Sequence, residues 1–256
     1  MIGHRGAAAA APENTLASLR KAKELGAEWV EFDVKLTRDG VPVLIHDERL
    51  ERTTDGHGEV AELPFSKLER LDAGGWFGPG FRGERVPTLE AALSLCAELG
   101  LGINVEIKPC PGRAAATARA ALEALRRCWP GALPAPLISS FEPVCLAIAR
   151  DLAPEVPRGY LAIALPRRWR EALETYRCST LHLSARRLGP LQRAAVVAAG
   201  VPLLLYTVNA PNRARRLLAA GVAAVFTDRV GEVLAALNSA RDANNGASGR
   251  RDDPAP

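Results

Sequence analysis

From residue 88 onward the chain alternates helix and strand signals at nearly constant spacing, and this alternation limits the fold more than any other feature. Helical periodicity over 88–99, 113–128, 143–152, 167–176, 190–199 and 210–220 is separated by short aliphatic runs at 103–108, 136–140, 158–162, 180–184, 202–208 and 223–227. Strands connected through helices pair in parallel with right-handed crossovers. Upstream, a short strand ending at His4, a helix capped by Asn14 or Thr15 and ended by Gly26, and a strand through Glu31 and Asp33 supply a βαβ start. If the arm that returns over 41–47 lies outside the sheet, the parallel strands number about eight, the count that closes a TIM (β/α)8 barrel. The expected organisation is therefore an α/β chain with the barrel over 1–238, a small insertion after the second strand at 48–87, and a disordered polar tail over 239–256.

Two of these strands carry charge where a buried strand should be greasy. Glu31 and Asp33 alternate with Val30, Phe32 and Val34, and in the run INVEIK the polar Asn104, Glu106 and Lys108 alternate with Ile103, Val105 and Ile107. Side chains two apart on a strand share a face. The outer face of a barrel meets its helices and must be apolar, so the charged sets point into the lumen, near the carboxyl ends of the strands where active sites of this fold lie. Carboxylates there need a counterion, because burying an unpaired ion costs several kcal/mol.

Glu31, Asp33 and Glu106 converging from two strands make an all-oxygen site that suits a hard divalent cation, Ca²⁺ or Mg²⁺, better than zinc. The competing reading is an internal salt-bridge network with Arg5, Lys35 or Lys108. After Glu31 and Asp33 the chain turns at Arg38-Asp39-Gly40 and returns toward His46, so hairpin counting pairs Asp33 with His46 to within a residue or two. His4 ends the first strand and reaches the same cleft. Two histidines beside Arg5 and a carboxylate cluster have the chemistry of an acid and base pair flanking a phosphoryl group, with Arg5 forking onto its oxygens. Which histidine is acid and which is base stays open.

Composition excludes other classes. The net charge of +4 on 256 residues comes without a long basic run carrying aromatics, which argues against a nucleic-acid partner. The five cysteines lack C-x-x-C spacing and are expected to be reduced thiols. No charged leader with an apolar core and no long apolar run is visible, so the expectation is a cytoplasmic protein without a stable membrane anchor, its oligomeric state open.

The motifs in order are GHRG at 3–6, PENT at 12–15, E-x-D at 31–33, DGVPVLIHD at 39–47, RTTDGHG at 52–58, VPTLEAAL at 86–93, NVEIK at 104–108, SSF at 139–141, YTVN at 206–209 and FTD at 226–228. Together they resemble the glycerophosphodiester phosphodiesterase family. The resemblance implies metal-dependent hydrolysis of glycerophosphodiesters to sn-glycerol 3-phosphate and an alcohol on a TIM barrel. It implies that Glu31, Asp33 and Glu106 hold the metal, that His4 and His46 are the general acid and base, and that Arg5 and Lys108 bind phosphate. The nucleophile it suggests is water or a neighbouring glycerol hydroxyl, and the insertion is the family's capping segment.

There are two departures from the family pattern. Tyr206 stands where the family usually has tryptophan facing the glycerol moiety, and Val230 replaces the proline of the late T-D-x-P. Rival readings are a lysophospholipid substrate for the same chemistry and a silent phosphate-ligand binder; the latter would be expected to have lost a histidine or an acid. His182 reads as structural and His57 as solvated. Trp76, Phe77 and Phe81 either form a lid or pack the insertion onto the barrel.

Overall fold

The computed structural model describes residues 1–248, with side chains through Ser239. Eight parallel strands close on themselves: β1 (Ile2–Gly3), β2 (Trp29–Leu36), β4 (Gly102–Ile107), β5 (Leu137–Ser140), β6 (Arg158–Ala162), β7 (Thr180–Ser184), β8 (Leu203–Tyr206) and β9 (Ala224–Thr227). The antiparallel arm β3 (Pro42–Leu44) pairs with β2, bridges Thr88 through Val43, and stays outside the barrel. The TIM barrel expected from the alternation is thus the observed fold. Its seam is closed by a first strand of only two residues, which pairs with β2 on one side and β9 on the other.

Helices α1 (Leu16–Glu24), α3 (Leu89–Glu98), α4 (Ala114–Cys128), α5 (Pro143–Leu152), α6 (Trp169–Tyr176), α7 (Pro190–Ala198), α8 (Pro211–Ala219) and α9 (Val230–Ser248) ring the barrel, and the short α2 (Phe65–Leu68) belongs to the insertion. Val30, Phe32 and Val34 of β2, with Ile103, Val105 and Ile107 of β4, pack outward against Leu19, Leu93, Ala121 and Leu122 of the helices. Burying such aliphatic faces is the main force holding the ring together. The lumen floor is apolar as well: Ile2, Leu137, Leu204 and Phe226 cluster with Trp29. The Trp29 ring fills the space that a Cβ on Gly102 would need. Charge is therefore confined to the upper lumen.

The insertion has its own small core of Leu50, Val60, Leu68, Ala73 and Val86, built on Val43 and Ile45 of the hairpin arm. Trp76, Phe77 and Phe81 stack edge to face at 5.6 and 5.3 Å within this segment. All five cysteines are free. Among the described residues no helix is long and apolar enough to cross a membrane.

Thr37 brackets a loop with Val41, and Gly40 takes the left-handed conformation (φ 87°), so Asp33 faces Ile45, one residue from His46 and within the expected register. His46 sits in the bend beyond the arm. The last helix runs from Val230 to Ser248, across the first residues of the polar tail. The remainder of that tail, 249–256, lies outside the described residues.

Candidate active site

Three tight local structures place the site. The first is the turn after β1. A Cβ on Gly3 would lie 2.3 Å from the Gly6 carbonyl oxygen, and one on Gly6 (φ 86°) would strike the Ser18 backbone, so the GHRG motif is glycine at both ends for steric reasons. Between them Arg5 takes φ 50°, and its backbone N–H donates to Glu31 Oε2 at 2.9 Å.

The second is the turn into α1. Thr15 caps the helix, which frees Asn14 (φ 57°) for a different task. Its amide donates to Asp33 Oδ2 at 2.9 Å and its carbonyl accepts the Asp33 N–H at 3.1 Å. This two-point clamp fixes both the backbone and the carboxylate of Asp33.

The third is strand register: Asp33 pairs with Glu106 across β2 and β4, and Glu31 with Asn104 one pleat below. Glu31, Asp33 and Glu106 each offer an oxygen within 4.8 Å of the others. That span suits a single hard cation, whose opposite oxygen ligands at roughly 2.4 Å lie about 4.8 Å apart.

The electrostatics of the three carboxylates differ. Burial, with repulsion from Asp33 and Glu106, pushes Glu31 well above its ordinary range. Burial and Asp33 push Glu106 to about 7. Asp33 is held low despite burial, because Lys108, Arg5 and the Asn14 amide favour its charge. Lys108 Nζ lies 3.3 Å from Asp33 Oδ1, and Arg5 Nε lies 3.3 Å from Asp33 Oδ2.

The salt-bridge reading therefore accounts for Asp33 and in part for Glu106, which Lys108 also faces. Glu31 Oε1 and Glu106 Oε1 are buried without a hydrogen-bond partner, and Lys108 stands 3.6 Å from the latter. Glu31 Oε1, with no partner, and Glu106 Oε1, with only a long ion pair, stand beside a third carboxylate as a donor set a divalent cation would satisfy. Lys35 is turned away, with Nζ donating to the Lys108 carbonyl oxygen at 3.1 Å.

Both histidines are oriented by carboxylates. His4 Nδ1 is 2.6 Å from Asp228 Oδ1, whose other oxygen accepts from Asn209 Nδ2 at 2.6 Å, and His4 Nε2 is 4.0 Å from Glu31 Oε2. His46 Nδ1 is 2.6 Å from Asp47 Oδ1. Burial, Arg5 and Lys108 lower the His46 pKa against the pull of Asp33. In each ring, Nδ1 is committed to a carboxylate and Nε2 is left for chemistry.

Arg52 of the insertion ties these parts together. It donates to both oxygens of Glu13 at 2.7 and 2.8 Å and to both oxygens of Asp47, while Glu13 also accepts from Arg5 Nη1 at 2.7 Å. One guanidinium thus braces the partner of His46 and the partner of Arg5. We expect Arg52→Ala to lower kcat/KM roughly 10- to 100-fold, the range for residues that orient site ligands, with little change in Tm. Arg52→Lys should recover only part of it, since an ammonium cannot fork onto two carboxylates. Steady-state kinetics beside a thermal melt checks both.

The site opens onto a cleft of about 550 Å³ lined by His46, Lys108, Glu48, Phe141 and Glu142. Beneath it, a chamber of about 30 Å³ is lined by His4, Glu31, Glu106, Ser139, His182 and Tyr206. The Tyr206 hydroxyl donates to the Ala162 carbonyl at 2.9 Å and the ring meets Phe141 edge to face, so it presents ring rather than hydroxyl to the chamber. His182 is fully buried, with Nε2 2.9 Å from Thr180 Oγ1, and desolvation drops its pKa to about 3. It is a neutral lumen residue.

Residues 4–232 match the family model described as the glycerophosphoryl diester phosphodiesterase family. The chain belongs to this family. It is 35% identical over 235 residues to a glycerophosphodiester phosphodiesterase of Caldanaerobacter subterraneus subsp. tengcongensis, covering 89% of this chain and 93% of that one. A solved phosphodiesterase of Oleispira antarctica, in complex with the product sn-glycerol-3-phosphate, superposes with a TM-score of 0.90 at 42% identity over 93% of this chain and 96% of that one. The glycerophosphodiester phosphodiesterase of Agrobacterium tumefaciens gives a TM-score of 0.72 at 29% identity, over 91% of this chain and 98% of that chain.

The structure of this phosphodiesterase brings His4, Arg5, Glu31, Asp33, His46, Glu106 and Lys108 into one contiguous cluster, with His46 and Lys108 lining the cleft and His4, Glu31, Glu106 and Tyr206 the chamber. Sequence reasoning missed Glu13, Asn14, Asp47, Arg52, Asn209 and Asp228 as supports. For Asp47 the signal was available, an acid adjacent to a histidine. Asp228 is 224 residues from His4, and only closure of the barrel joins them.

Proposed function

We propose that this phosphodiesterase hydrolyses glycerophosphodiesters to sn-glycerol 3-phosphate and an alcohol, with a divalent cation, Ca²⁺ or Mg²⁺, held by Glu31, Asp33 and Glu106. The observation that carries this reading is the carboxylate triad with two oxygens that lack a hydrogen-bond partner, flanked by two histidines whose Nδ1 atoms are each committed to an acid. A bound cation would offset charge on the phosphoryl oxygens. Arg5 and Lys108, both against Asp33, are placed to add their own charge to the phosphate.

The remaining chemistry belongs to the imidazoles. One Nε2 accepts the proton of the nucleophile as its oxygen bonds to phosphorus. The other donates a proton to the departing alcohol oxygen as its bond to phosphorus breaks. The supports described above fix each ring without consuming the nitrogen that reacts. Tyr206 and Phe141 offer apolar ring surface to the carbon skeleton of the glycerol moiety.

The test is an assay of purified protein against glycerophosphocholine, glycerophosphoethanolamine, glycerophosphoglycerol and lysophosphatidylcholine, with and without chelator. Release of sn-glycerol 3-phosphate from the deacylated compounds, abolished by chelator, is expected. Release of phosphocholine in its place, or full turnover by metal-free protein, would overturn the reading.

A further inference from the structure

The rim of the barrel mouth combines exposed aliphatic side chains with arginine. Among the described residues the large apolar side chains most open to solvent are Trp76, Val144, Leu152, Ile163 and Leu191. All but Leu152 lie on the side where strands run into helices, the side of the active site. Val144 is in the first turn of α5, Ile163 directly follows β6, and Leu191, at 87% exposure, is in the first turn of α7. Strands β5, β6 and β7 are neighbours, so three successive connections each raise one aliphatic residue at the mouth.

Exposed arginines stand on the same connections, Arg167 and Arg168 before α6 and Arg186 and Arg187 before α7. The connection after β5 carries one exposed acid, Glu142; between Arg158 and Arg229 the acids are Glu171, Glu174 and Asp228, and of these Glu171 pairs with Arg168 at 3.6 Å while Asp228 holds His4. The patch borders the chamber, because the Ala162 carbonyl that precedes Ile163 accepts the Tyr206 hydroxyl.

Exposed aliphatics beside Arg167, Arg186 and Arg187, which no acid pairs among the described residues, have the composition of a surface that seats in the headgroup layer of an anionic bilayer. We propose that the connections after β5, β6 and β7 form a reversible docking surface for anionic phospholipid membranes, which turns the cleft toward the lipid. This goes beyond the hydrolytic reading and stands apart from it, since binding is measured without turnover.

The experiment is co-sedimentation of the full chain with vesicles of phosphatidylcholine alone, or of phosphatidylcholine mixed with phosphatidylglycerol. Binding to the mixed vesicles only, weakening as salt is raised, is expected. Each arginine near an anionic surface is worth about fivefold in partitioning, so Arg186→Glu with Arg187→Glu should lower it more than tenfold. Leu191→Asp should lower it about tenfold, the scale for withdrawing one leucine from an apolar phase. Leu152→Asp, at the far end of the barrel, should leave it unchanged.

Turnover of soluble glycerophosphocholine by each variant reports that its fold is intact. Failure of the wild-type chain to prefer anionic vesicles at low salt would overturn the proposal, as would equal losses in the Leu152 and Leu191 variants. Capture of RNA without any vesicle binding would overturn it in favour of a nucleic-acid surface.

Discussion

His4→Ala and His46→Ala are each expected to lower kcat by roughly 10²- to 10⁴-fold, the worth of a positioned acid or base, while circular dichroism and the thermal melt stay close to wild type. Both rings are only partly buried, and neither contributes to the apolar clusters that hold the barrel. The supports should behave unequally. Asp228→Asn keeps the shape of the side chain but removes the charge against His4 Nδ1, and with its single oxygen held by the Asn209 amide it turns a donor to the ring where the carboxylate accepts. Asp47→Asn disrupts a carboxylate that Arg52 also grips, so it loosens the insertion as well as His46. We therefore expect Asp228→Asn to change kcat with KM nearly constant, and Asp47→Asn to change both. Near-normal turnover in either histidine variant would remove the acid and base assignment.

The second large effect concerns the cation and pH together. Glu31 and Glu106 have raised pKa values in the metal-free chain, Glu106 to about 7, because burial and the neighbouring carboxylates oppose their charge. A raised carboxyl contributes stability that is fully present below its unfolded pKa of about 4.3 and is lost as pH rises through the folded value. Between those limits the folded state binds more protons than the unfolded, so the slope of stability with pH is negative. The buried His182, lowered to about 3, and the lowered His46 oppose this, since each takes up a proton on unfolding below about pH 6.5. The chelated protein should therefore melt only a few degrees lower at about pH 8 than at about pH 5, on the scale of 2–4 °C per kcal/mol for a chain of this size. Ca²⁺ or Mg²⁺ must compete with those protons, so its stabilising effect should be large at the higher pH and small at the lower. Differential scanning calorimetry of chelated and cation-loaded protein across that range tests the sign. A melt that rises with pH in the chelated protein would contradict the proposed cluster. Turnover should vanish with chelator and return with the cation.

Much of this was legible because the barrel imposes a rule on its strands. Outer faces must be apolar, so the alternation in 29–36 and 102–107 told which residues face the lumen, and the structure has Glu31, Asp33 and Glu106 there. Period and composition sufficed for that inference. What was not legible depended on contacts between segments with no shared period. Asn14 and Thr15 both suit a helix cap; Thr15 does the capping, which leaves Asn14 to clamp Asp33, a role that no local pattern marks. Arg52, in a glycine-rich stretch, carried no signal of its own, since its two acids lie 39 and 5 residues away. The hairpin register could be counted only to within a residue or two, because the length of the loop closed by Thr37 and Val41 is not written in the strand pattern.

The seam of the barrel has a consequence for when activity appears during synthesis. β1 has two residues and rests on β9, and His4 takes both its backbone bond from Thr227 and its side-chain partner Asp228 from the far end of the chain. A nascent chain can therefore assemble β2 and β4, with Glu31, Asp33 and Glu106 side by side, and pin β1 against β2, before the ring of its first histidine has the carboxylate that orients it. The carboxylates come early and the proton chemistry comes last. Until β9 has left the ribosome, the growing polypeptide has the pieces of a cation site and no completed hydrolase.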